Sequence, residues 1–141
     1  MSAQAGSVID ASVTLRWMLE GEPDSRATGV MESLDEHFAL VPVLWHFEVA
    51  NGLRNAVRVG IHSPEAITAI SSRLDQLDIR TDVITPQVQR LALEAIGTGL
   101  TSYDVSYLLL ARDRGLPLAT LDDELAAAAR SAGVKLAFED A

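Results

Sequence analysis

The sequence predicts an α/β domain, a mainly parallel sheet covered by helices, and three observations carry that prediction. Short apolar runs alternate with longer stretches of three-to-four-residue apolar spacing in the order βα(α)βαααβαβ, a pattern that needs crossover connections and so parallel strands. The first run, Ser7-Val8-Ile9-Asp10, is apolar and stops on a carboxylate, as a buried parallel strand does where its C-terminal edge opens into a crevice. Hydrophobic residues make up 48% of the chain and aromatics only 5%, so the core is drawn from Leu, Val, Ile and Ala, a mixture that favours helices. At 141 residues the chain can bury roughly 70% of its unfolded surface, and a single domain over residues 1–141 is expected.

Taken in order, Ser7–Asp10 reads as the first strand, and Ser12 stands where an N-cap would precede a helix over Val13–Leu19. Gly21-Glu22-Pro23-Asp24 breaks that helix. A second starts at Asp24 or Ser25 and runs to about Asp35 on the face of Ala27, Val30, Met31 and Leu34. Phe38–Val41 is the second strand. Pro42 ends it and suits the first turn of a long third helix, about Val43–Val59, closed by Gly60. Within it Phe47, Ala50, Leu53 and Val57 form the expected apolar stripe, with Leu44, Glu48, Asn51 and Asn55 on an adjacent line.

Ser63-Pro64 opens a fourth helix with Ile67, Ile70, Leu74 and Leu77 on its buried line, ending near Asp78. Ile79–Asp82 is a short edge strand. Thr85-Pro86 caps a fifth helix bearing Val88, Leu91, Ala92 and Ala95, which stops at Gly97 and opens a Gly97-Thr98-Gly99 loop. Thr101 or Ser102 caps the sixth, whose Val105, Leu108, Leu109 and Ala111 make it central, with Asp104 in its first turn. Leu118–Leu121 is a third core strand, Asp122–Ala132 the last helix and Val134–Phe138 the last strand.

Composition narrows the function classes. With no cysteine, disulfides, thiolate metal sites and cysteine nucleophiles are out, and a cytoplasmic protein is expected. No apolar run is long enough for a membrane span, and Met1–Ser7 is polar and unlike a signal peptide. A net charge of −9, with Lys135 the only lysine beside ten arginines, argues against nucleic-acid binding through a broad basic surface. A bound cation or a local arginine patch would offset part of that charge.

Acids sit in apolar surroundings at four sites: Asp10, Glu48, Asp104 and the Asp122-Asp123 pair. Each has a bland reading. Asp10 can cap the following helix, Asp104, Asp122 and Asp123 can be first-turn acids favoured by the helix dipole, and Glu48 can be solvated. Each also lies at the end of an expected strand or on a helix beside one. Carboxylates converging on one pocket repel and stay ionised together only around a shared cation, and hard oxygen ligands select Mg²⁺ or Mn²⁺. Metal-assisted phosphoester hydrolysis is the natural chemistry of such a site. His37, His46 and His62 are scattered, Trp17 and Trp45 suit core or interface anchoring, and no glycine-rich phosphate loop is present.

The segments Asp10-Ala11-Ser12 with Leu15-Arg16-Trp17, Val41-Pro42 with Trp45, Glu48, Asn51 and Leu53, Ser102–Leu108, and Leu118–Asp122 with Leu125 resemble, in that order, the PIN-domain family. Within the family they resemble the ribonuclease toxins of VapBC toxin–antitoxin modules. The resemblance implies a three-layer α/β/α fold with a central sheet of four or five strands. It also implies a cytoplasmic Mg²⁺- or Mn²⁺-dependent endoribonuclease, usually a homodimer, inhibited by a cognate VapB-type antitoxin. Asp10, Glu48, Asp104 and Asp122 match the family's acidic quartet, with Asp10 and Asp104 as metal ligands. Ser12, Asn51, Thr120 and Asp123 match accessory positions. Arg16, Arg54 and Arg58 are candidate RNA contacts, since the negative charge leaves RNA to the metal and a small arginine set.

Other readings compete less well. A haloacid-dehalogenase-type phosphotransferase wants a second acid where Ser12 stands, and a receiver domain wants a lysine beyond a late strand, whereas Lys135 lies within one. The non-enzymatic alternative is a catalytically silent module of the same fold that binds RNA or protein.

Overall fold

Strand β1 (Gly6–Ile9) has a parallel neighbour on each side, β2 (Phe38–Pro42) and β4 (Leu118–Ala119), so Val8 faces Leu40 across one ladder and Leu118 across the other. The computed structural model describes residues 5–19 and 21–138, and the polar lead Met1–Gln4 lies outside the described residues. Strand β3 (Ile79–Asp82) pairs in parallel with β2 from Ala39↔Ile79 to Pro42↔Asp82, which makes the order β3-β2-β1-β4. The expected edge position of β3 is therefore observed, and its exposed Arg80 and Thr81 suit an edge. Val8, Ile9, Ala39 and Val41 have no exposed surface, because helices cover the sheet on both faces in a three-layer α/β/α arrangement.

The helices among the described residues are α1 (Ala11–Met18), α2 (Ser25–Glu32), α3 (Val43–Arg58), α4 (Ala66–Ser72), α5 (Val88–Thr98), α6 (Ser102–Arg114) and α7 (Asp123–Ser131). Helix α6 packs against β1, β2 and β4 and carries α5 and α7 on its other sides. That explains why Val105 and Tyr107 through Ala111 are all buried, as its apolar circumference requires. Helix α1 packs on α2 and α3. Gly52 permits the second contact, since a Cβ at that position would collide with the end of the Leu15 side chain.

Several expectations are corrected. Ser12 is not the cap of α1; Asp10 is, with extended backbone and its carboxylate accepting from the Val13 N–H. The helix consequently starts at Ala11. The buried line of α3 is Trp45, Val49, Leu53 and Ala56, while Phe47 and Ala50 of the expected stripe are exposed. Helix α4 ends at Ser72 and continues as a 3₁₀ turn over Leu74–Gln76 rather than reaching Asp78. Helix α5 is capped by neither Thr85 nor Pro86: it begins at Val88 and runs through Gly97 to Gly99, whose φ of 76° supplies the left-handed C-terminus.

The third core strand shrinks to Leu118–Ala119, and the expected last strand reduces to one parallel bridge, Leu118↔Leu136. Leu118 exchanges its N–H and C=O with Lys135 and Ala137, after which the chain turns. Four strands make the sheet among the described residues.

Candidate functional site

Asp10 leaves β1 with its own N–H bonded to the Ala119 carbonyl at 3.1 Å, the last rung of the β1–β4 ladder, and its side chain turns back over the start of α1. It is 5% exposed. Oδ1 accepts from Ser12 Oγ at 2.5 Å and from the Val13 N–H at 3.3 Å, and Oδ2 accepts from the Thr120 hydroxyl. Those two hydroxyls are themselves oriented. The Leu121 N–H donates to Ser12 Oγ at 3.1 Å and the Asp122 N–H to Thr120 Oγ1 at 3.0 Å, which directs each hydroxyl hydrogen toward Asp10. Burial nevertheless holds the Asp10 carboxyl above its ordinary pKa, against these hydrogen bonds, and the Glu48 charge adds to the rise.

Glu48 is half-buried on α3, where Oε1 accepts from the Tyr107 hydroxyl at 2.6 Å. Its pKa is raised too, by burial first and then by the charge of Asp104, with the Tyr107 hydrogen bond opposing. Asp104 sits in the first turn of α6, its N–H donating to the Thr101 cap at 3.2 Å. Burial raises its pKa, and Asp122 and Glu124 contribute. Asp122 caps α7, its Oδ1 accepting from Glu124 and Leu125 at 2.9 and 3.0 Å. The four acids thus form one electrostatic chain, in which Glu48 acts on Asp10, Asp104 on Glu48 and Asp122 on Asp104.

The accessory residues divide. Ser12 and Thr120 are bonded directly to Asp10. Asn51 is exposed one turn along α3 from Glu48. Asp123 is exposed at the start of α7, and the charge it is coupled to is Arg26 on α2. Arg16 donates from Nε to the Glu22 carbonyl at 2.9 Å and lines a 460 Å³ cleft with Ser12, Leu15 and Leu121, a cleft that none of the four acids lines. Arg54 and Arg58 are exposed farther along α3, and Arg54 lies about a third of a turn round the helix from Glu48.

Tyr107 escaped the reading of the sequence. Its signal was available, because a tyrosine in the apolar part of a buried helix needs a partner for its hydroxyl, and one turn after Asp104 that partner is a site acid.

A hard divalent cation fits this donor set in its chemistry. All donors are oxygens, and three carboxyls are held above their ordinary values by burial first and by neighbouring acids, a cost that a cation removes. Among the described residues no three His, Cys, Asp or Glu side chains are close enough to hold an ion by themselves.

The sequence profile of the PIN domain matches residues 7–131. The chain belongs to the PIN domain family. Three solved structures share the fold. PAE2754 from Pyrobaculum aerophilum superposes with a TM-score of 0.67 at 23% identity, over 89% of this chain and 87% of that one. A domain of a functionally unknown protein from Methanocaldococcus jannaschii gives 0.58 at 15% identity, over 97% and 92%. FitAcB from Neisseria gonorrhoeae gives 0.56 at 19% identity, over 92% and 94%. No curated protein matches the chain. The PIN domain is a nuclease fold, and in this PIN domain Asp10 follows β1, Glu48 lies on α3, Asp104 on α6, and Asp122 follows β4 as the cap of α7.

Proposed function

We infer that this PIN domain is a Mg²⁺- or Mn²⁺-dependent endoribonuclease, the toxin of a VapBC-type toxin–antitoxin module. The observation that carries the reading is Asp10 itself, an acid buried at the end of β1 and gripped by two oriented hydroxyls. Asp10 and Asp104 would hold the cation, and Glu48 and Asp122 would complete the pocket directly or through water. When bound, the cation lowers the pKa of an attacking water and stabilises charge on the phosphoryl oxygens. The chain's own part is to keep Asp10 in one rotamer, to exclude water from its inner side, and to leave carboxylate oxygens as acceptors for the water's proton. Arg16, which shares a cleft with Ser12, would meet a phosphate of the RNA, with Arg54 and Arg58 as outlying contacts.

The same reading includes a cytoplasmic location, a VapB-type antitoxin as partner and a homodimer. The homodimer has independent support. An apolar groove of 450 Å³ between α3, α6 and the β3–α5 loop is lined by Val43, Leu44, Ile84 and Leu91, and Phe47 stands on its lip at 65% exposure. Two ion pairs, Arg90–Asp113 and Arg114–Asp82, border it, so this face is neutral on a chain of charge −9 and can meet its own copy. None of the four acids lines the groove.

The catalytically silent module is favoured by one observation, the lack of three converging acids among the described residues. Incubating the protein with total cellular RNA, with Mn²⁺ or with chelator, separates the readings. Mn²⁺-dependent fragments from wild type and none from Asp104→Asn are expected of the nuclease. Intact RNA in every lane is expected of the silent module.

A further inference from the structure

Tyr107 is the largest fully buried side chain of the core, at 1% exposure, and it buries a hydroxyl with it. A phenol in that position must find a partner or lose its hydration without return. The hydroxyl donates to Oε1 of Glu48 at 2.6 Å. The bond joins two acid-bearing helices, since Glu48 lies on α3 and Tyr107 lies on α6 one turn beyond Asp104.

We propose that Tyr107 is a positioning residue of the cation pocket, fixing Glu48 through Oε1 and tying its location to α6, the helix that bears Asp104. The proposal rests on the nuclease reading. Tyr107 itself touches neither substrate nor cation; it acts through Glu48. A half-buried glutamate on a helix still has several rotamers open to it, and one hydrogen bond from a rigid, packed ring removes most of that freedom. The ring is held by packing alone, so its hydroxyl can be deleted without emptying the core: phenylalanine fills the same space.

The test is Mn²⁺ titration by calorimetry on the full chain, comparing wild type with Tyr107→Phe, Glu48→Gln, the double variant and Tyr103→Phe. Outer-shell partners of this kind change metal affinity about tenfold or more. Tyr107→Phe is expected to weaken Mn²⁺ binding about tenfold in protein that remains folded, and the double variant to bind no more weakly than Glu48→Gln. Tyr103 is exposed on the same helix and Tyr103→Phe is expected to bind as wild type does. Unchanged affinity in folded Tyr107→Phe, beside a wild type that binds, overturns the positioning role and leaves the nuclease reading standing. A folded wild type that binds no Mn²⁺ overturns both. Should Tyr107→Phe fail to fold, fluorotyrosine-labelled protein decides, because the chain has only two tyrosines. The resonance of the buried one must move when Mg²⁺ is added and again in Glu48→Gln; a resonance indifferent to both overturns the proposal.

Discussion

Thr120 donates its hydroxyl to Oδ2 of Asp10 although 110 residues separate the two in the chain. The bond fastens the loop after β4 to the end of β1, and the same hydroxyl oxygen accepts from the Asp122 N–H. One side chain therefore contacts both Asp10 and the start of the helix that Asp122 caps.

Thr120→Val keeps the shape and deletes that hydroxyl. A buried carboxylate oxygen and a backbone N–H lose their partner together, which costs about 1–3 kcal/mol for the unmet groups. Urea unfolding should show that loss, with the Asp10 pKa rising further above its ordinary value. Wild-type stability in Thr120→Val would mean that the loop and β1 are not coupled through this bond.

The raised carboxyls also set how stability responds to pH. Asp10, Glu48 and Asp104 have folded-state pKa values above their unfolded ones. Between those values the folded chain binds more protons than the unfolded chain, so their contribution falls as pH rises through the window. Asp24 has the opposite sign. Its carboxylate is held down to about 2, chiefly by the Arg26 hydrogen bond, so its contribution is present above the ordinary value of 3.8 and lost as pH falls through the lower one. Chelated protein should accordingly melt at a higher temperature in mildly acidic buffer than at neutrality, and saturating Mn²⁺ should remove or invert the difference. A melting temperature that climbs steadily toward neutrality in chelator would contradict the account of the three acids.

Gly52 lets α3 approach α1, and Glu48 lies one turn before it on the same helix. Gly52→Val should force Leu15 aside and push the helices apart, at about 1–3 kcal/mol for overpacking. Mn²⁺ affinity should fall with it, measured on protein shown to be folded. Full affinity in a destabilised Gly52→Val would show that the α1–α3 spacing does not position Glu48.

Phe47 projects from the neutral apolar face. Phe47→Asp should convert a dimer to a monomer in sedimentation velocity, because the charge would be buried unpaired in a two-fold interface. A wild type that sediments as a monomer at all concentrations would remove the groove from consideration as a self-contact.

Much of this was legible in the residues, and where it was not the reason is physical. β1, β2 and β3 announced themselves as short apolar or β-branched runs ending at Asp10, Pro42 and Asp82, and α6 as a helix apolar nearly all round. Asp10 and Ser12 are both good caps, and nothing local decides between them. The choice depends on Thr120 and Leu121, which arrive from across the sheet. In α3, the lines Phe47-Ala50-Leu53-Val57 and Trp45-Val49-Leu53-Ala56 are similarly apolar, so periodicity alone does not pick the buried one. The second line packs inward, and Phe47 is left on the exposed groove. The last strand failed because apolar residues after Gly133 pair only around Leu118 before the chain turns. Asp10, Glu48, Asp104 and Asp122 were visible as acids in apolar settings; that Tyr107 links Glu48 to α6 depends on a contact between residues 59 positions apart.

The measurement that bears most directly on the central claim is Mn²⁺ binding to the partner-free protein by calorimetry, wild type beside Asp10→Asn. Asp10→Asn keeps the size of the side chain and removes its negative charge. The account predicts saturable binding by wild type and loss of most of that affinity in a folded Asp10→Asn. Equal binding by the two proteins, or no binding by a folded wild type, would contradict it and leave Asp10 as a helix cap alone.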